Sequence, residues 1–112
     1  MASSSNFPAP LPKTYNDLLQ KIRRDIANDQ NTRMTINRSL AALRRQRIEN
    51  NRMINEANNS PDTEPYIVYY LEESNTQLDA IENKLNRILH LVDEKIEFGI
   101  FFKEDVEEIS QA

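Results

Sequence analysis

Apolar residues recur along this chain in steps of four and three, the spacing that keeps one face of an α-helix dry. In the first half the seam runs Tyr15, Leu19, Ile22, Ile26, then Ile36, Leu40, Leu43 and Ile54. In heptad terms Leu19, Ile26, Leu40 and Ile54 are a positions, and Tyr15, Ile22, Ile36 and Leu43 are d positions. Four polar residues interrupt it: Asp29 and Asn50 at d, Arg33 and Arg47 at a. Polar residues at core positions lower stability and commonly set register. The second half carries a cleaner pattern, with Leu71, Leu78, Leu85 and Val92 at a and Ile67, Ile81 and Ile88 at d. Ser74 and Lys95 depart from the d series. Leu89, Leu91, Ile96 and Phe98 widen the apolar stripe towards the C-terminal end, which implies more than one neighbour.

Turn chemistry divides the chain. Residues 1–12 read as a disordered Pro/Ser-rich leader, because Pro8, Pro10 and Pro12 remove backbone donors and favour extended chain. Thr14 is placed to cap a basic first helix over 13–57, with Asp17 favourable to its dipole. Asn, Ser and Pro concentrate at 58–63, predicting a turn. Thr63 or Ser60 can cap the acidic heptad helix expected over 64–98, with a proline in its first turn. Gly99 is expected to end or bend that helix. An acidic amphipathic tail, 99–112, follows, with Phe102, Val106 and Ile109 at i, i+4 and i+7. The predicted fold is all-α: a long antiparallel helical hairpin or coiled coil with a short C-terminal amphipathic helix.

Charge sharpens this picture. Residues 13–56 carry ten basic and five acidic side chains, net +5, whereas residues 60–112 carry four basic and thirteen acidic, net −9. Such asymmetry implies that the halves attract, within one chain or between chains. Arg24, Arg38, Arg45 and Arg52 all fall at f of the first helix and form a basic ridge. The ridge has three readings: a solvated face, a docking strip for the acidic half, or a row of phosphate contacts, for which the forked guanidinium is suited. The tail has two: a docking motif for a partner groove, or a third helix folded back on the hairpin.

Little in the sequence points to chemistry. There is one histidine, His90, at an f position, and no cysteine, so neither a zinc ribbon nor a disulfide framework can form. A single glycine excludes the glycine-rich phosphate loops. No apolar run approaches the roughly 18–20 residues of a membrane span, and no secretory signal is evident, so an intracellular location is expected, cytoplasmic or nuclear. No enzymatic activity, cofactor or metal is expected.

A hairpin with one apolar stripe per helix has little core, and small scaffolds rarely fold on so little. The sequence therefore predicts function through protein–protein contact, in a homo-oligomer or as a subunit of a helical hetero-complex: an assembly, scaffold or adaptor protein. Its helix–helix interface would be Leu19, Ile22, Ile26, Ile36, Leu40 and Leu43 on one side and Ile67, Leu71, Leu78, Ile81, Leu85, Ile88 and Val92 on the other. The alternative is a small nucleic-acid-binding accessory or structural protein, of the kind viruses encode, using the arginine ridge.

Overall fold

A computed structural model describes residues 13–111; the leader 1–12 lies outside the described residues. They form two helices, α1 (Lys13–Asn58) and α2 (Pro65–Gln111), and no strand. The molecule is an all-α helical hairpin. Neither glycine nor proline interrupts α1, so every residue after the first turn can donate to the carbonyl four back. Lys13 is already helical, so Thr14 sits inside the first turn rather than at the cap.

The turn differs in detail from expectation. The Asn59 amide donates to the Asn55 carbonyl and the Ser60 amide to that of Ala57, closing the end of α1 without glycine. The Thr63 amide then donates to the Ser60 carbonyl, and α2 opens on Pro65 with the Ile67 amide bonded to the Glu64 carbonyl. Proline at the first helical position forfeits no bond, because that amide has no intrahelical acceptor. The position preceding the helix is therefore Glu64, not Thr63 or Ser60.

The described residues divide into two compact units. A terminal unit joins α1 up to Arg33 with α2 from Leu91 onward, and a turn unit comprises Met34–His90. The terminal unit has Ile22, Ile96 and Val106 as its buried apolar residues. In the turn unit these are Ile36 and Leu40, and the most deeply buried side chain is a polar one, Asn50.

Gly99 does not end α2. The helix continues through it to Gln111, and Gly99 has an ordinary negative φ. A Cβ placed on it would stand 3.0 Å from Ile26 Cγ1. The glycine thus serves close approach of the two helices in the terminal unit and not a left-handed cap. Residues 99–111 are accordingly the last turns of α2 rather than a separate helix.

Candidate interaction surface

On α1 the half-buried and buried positions include Leu19, Ile22, Ile26, Asp29 and Arg33 in the terminal unit and Ile36, Leu40, Leu43, Arg47, Asn50 and Ile54 in the turn unit. These are the a and d positions, polar interruptions included, apart from Tyr15, a d position of the first turn that is exposed. Each interruption meets a polar partner on α2. In the terminal unit Lys95 Nζ lies 3.0 Å from Asp29 Oδ1, and Arg33 lies 3.5 Å from Asp93. In the turn unit one Arg47 terminal nitrogen reaches both Asp79, at 2.8 Å, and Glu82, at 2.6 Å. Arg44 adds a second ion pair to Glu82 at 3.5 Å.

Asn50 is the centre of a wholly polar network. Gln46 Nε2 donates to Asn50 Oδ1 at 2.9 Å, and Asn50 Nδ2 donates to Ser74 Oγ and Asn75 Oδ1, both at 3.0 Å. Asn75 Nδ2 in turn donates to Asn51 Oδ1 at 2.9 Å. A buried amide left unpaired would be destabilising, so this network dictates which residues of α2 stand opposite Asn50.

The same matching rotates α2 away from the expected frame. Its a positions Leu71, Leu78, Leu85 and Val92 are half-buried as the interface reading requires. The companion positions, however, are mainly e, and the d series faces α1 only through its two polar members, Ser74 and Lys95. Val68, Asn75, Glu82 and Leu89 are half-buried in the turn unit, and Ile96 and Lys103 are buried or half-buried in the terminal unit. The d residues Ile67, Ile81 and Ile88 stay 38%, 45% and 46% exposed. The cause lies in α1: were Ile81 turned inward in place of Glu82, Arg47 would lose the nearer and less exposed of its two carboxylates while still facing the seam. Weakening the pairing of a charge that faces the seam costs more than leaving an isoleucine half-exposed.

Electrostatics around Arg47 follow from this geometry. The hydrogen bond from Arg47 holds the Glu82 carboxyl below the ordinary glutamate value; burial opposes this, and the charges of Arg47 and Arg44 reinforce it. Arg47 itself is pushed upward, chiefly by the same hydrogen bond. Its Nε is buried with no hydrogen-bond partner.

The acidic half of the chain therefore docks on Arg23, Arg33, Arg44 and Arg47, with Arg23 reaching Glu107 at 3.3 Å. Within the chain the ridge at f is not that docking strip. Arg24, Arg38 and Arg45 are exposed and make no ion pair among the described residues, and Arg52 is held by Glu49 and Glu56 of its own helix.

The tail residues separate. Val106 is buried in the terminal unit, while Phe102 and Ile109 are largely exposed. Both lie in the d row of α2, the row of Ile67, Ile81 and Ile88. Leu91 and Phe98, two of the residues that widened the stripe, fall in the neighbouring g row and are 62% and 76% exposed. Leu89 and Ile96, the other two, are inside. So α2 has two apolar stripes, one against α1 and one open. In the terminal unit the open side borders a groove of about 510 Å3, walled by Leu18, Ile22 and Ile26 of α1 and by Leu91, Phe98 and Phe102 of α2.

Sequence reasoning missed three exposed tyrosines at the start of α2. Tyr70 meets both Tyr66 and Tyr69 edge to face, with ring centroids 6.0 Å apart in each pair. The signal was present as four aromatic or β-branched neighbours around Tyr69, but heptad bookkeeping discards residues outside a and d. Leu18 was missed for the same reason.

Among the described residues no group of three or more His, Asp or Glu stands ready to hold a metal ion. Among the same residues no helix is long and apolar enough to cross a membrane. Comparison with protein-family models, with curated proteins and with solved structures finds no match for the chain.

Proposed function

We propose that this chain is a non-enzymatic assembly, scaffold or adaptor subunit that works through helix–helix contact, self-association included. One observation carries the reading: the second apolar stripe of α2 has no covering element among the described residues. In the turn unit it comprises Ile67, Ile81 and Ile88, and in the terminal unit Leu91, Phe98, Phe102 and Ile109. Exposed apolar surface in such a concentration marks contact sites. We place the protein inside the cell, where a cysteine-free chain needs no oxidising compartment.

Light scattering at several protein concentrations and two salt levels tests this. The expected result is a mass above that of one chain that grows with concentration and persists at high salt, since apolar contact is not screened. A single-chain mass at every concentration would remove self-association from the reading.

A second reading rests on Arg24, Arg38 and Arg45, which have no ion-pair partner among the described residues and are spaced in whole heptads along α1. As a phosphate-binding row it would give weakly sequence-specific, salt-sensitive nucleic-acid affinity. Retention on heparin or single-stranded RNA at low salt supports it, and no retention there rejects it.

A further inference from the structure

We propose that the groove of the terminal unit is the seat of a second copy of this chain, with Phe98 of each copy entering the groove of the other. This rests on the self-association reading above and names its site.

Three features of the groove fit an identical partner. The first is shape. Groove and projecting ring lie on the same face: Phe98 forms part of the wall and is nonetheless 76% exposed. A surface with a hole and a knob side by side is self-complementary under a two-fold axis, because each copy offers what the other lacks. Gly99 keeps the floor low at this point, since it puts no side chain between Ile26 and the groove.

The second is area. On a scale of roughly 200 Å2 per large side chain, the exposures of Leu18, Leu91, Phe98 and Phe102 leave about 400 Å2 of apolar surface open on this face. A stable dimer covers about 800 Å2 per partner, of which somewhat more than half is apolar. The open surface thus approaches the apolar share of one standard interface.

The third is charge. The α2 segment of this unit is strongly acidic, yet Asp93 and Glu107 are turned to Arg33 and Arg23. The groove rim itself holds Lys21 and Lys95 beside Asp25, Asp29 and Glu94, and both lysines already have acidic neighbours in Asp25 and Asp29. With two lysines against three carboxylates the rim is close to balance, and it meets its own copy with a surplus of only one negative charge per subunit.

Sedimentation equilibrium over a concentration series, with circular dichroism on the same samples, tests the proposal in the full chain. The variants are Phe98→Asp and, as a control, Ile48→Asp, which alters a residue 69% exposed in the turn unit. Wild type and Ile48→Asp should dimerise alike, while Phe98→Asp keeps its helicity and dimerises at least tenfold more weakly. Should Phe98→Asp lose helicity, Leu91→Asp replaces it with the same expectation. A Phe98→Asp or Leu91→Asp chain that is folded and dimerises as tightly as wild type overturns the proposal. It then assigns the groove to another occupant and leaves self-association standing through a different surface. A wild-type chain that stays single throughout overturns both.

Discussion

At the scale of single residues, polar side chains decide what apolar ones leave open. Asp29, Arg33, Arg47 and Asn50 all interrupt the α1 seam, and each is matched across the hairpin. Asn50 is the sharpest case, since its amide is buried and fully bonded. Asn50→Ala should lower stability by about 1–3 kcal/mol, the usual penalty of orphaned buried polar partners, as read by urea denaturation. Glu82 gives a pH signature. Its carboxyl is held below the ordinary value of 4.5, so the unfolded chain binds a proton more readily than the folded one. The contribution is fully present above 4.5 and is lost as pH falls through the lower folded value. Stability should therefore drop on acidification below that point, and Glu82→Gln should flatten the slope. An unchanged acid limb in that variant would show that the Arg47 contact carries no linkage.

At the scale of elements, α2 separates two roles that its heptad pattern runs together. Leu85 is in the seam and Ile88 is on the open stripe, although they are one turn apart. Leu85→Asp should cost most of the helicity, because it drives a charge into the apolar contact. Ile88→Asp should leave the circular dichroism spectrum as it is. Equal losses of helicity in the two variants would contradict the rotation of α2 described above. Gly99 offers a second element-scale test. Alanine there gains about 1 kcal/mol of helix propensity but crowds Ile26, so Gly99→Ala should be close to neutral. Gly99→Leu has no such compensation and should lower the melting temperature, since its bulk pushes against Ile26 of α1. Deep apolar positions follow the ordinary rule: Leu40, 3% exposed, should cost about 2–5 kcal/mol on substitution by alanine.

At the scale of the molecule, each compact unit has a small core and an exposed apolar flank. The terminal unit buries Ile22, Ile96 and Val106, the turn unit Ile36 and Leu40, with few deeply buried side chains in either. Cores this small leave stability sensitive to anything that covers more apolar surface, by mass action with the folded state. The melting temperature should accordingly rise with protein concentration, which differential scanning calorimetry over a twentyfold range can measure. A melting temperature independent of concentration would mean that folding and association are uncoupled. The charge asymmetry between the halves finds its use within the hairpin, in ion pairs from basic α1 to acidic α2 in both units. Exposed pairs of this kind contribute little each. Their effect is to favour one alignment of the helices over others.

The sequence by itself determined the helices, the turn between them, the a/d seam of α1 and the attraction of the two halves. All of these follow from periodicity, from the Asn- and Pro-rich break, and from counted charge. It did not determine which flank of the α2 stripe faces inward, because Ile81 and Glu82 are neighbours and periodicity prefers the isoleucine. Only the packed structure resolves that, since the partner of Arg47 lies on another helix. Nor did it separate the two uses of Gly99, to end a helix or to let another come close. Both call for the smallest residue, and the difference is a contact with Ile26, 73 positions away in the chain. Long-range pairing of polar groups is invisible to any local pattern, and here that pairing sets the rotation of α2 and so leaves its second apolar face in the open.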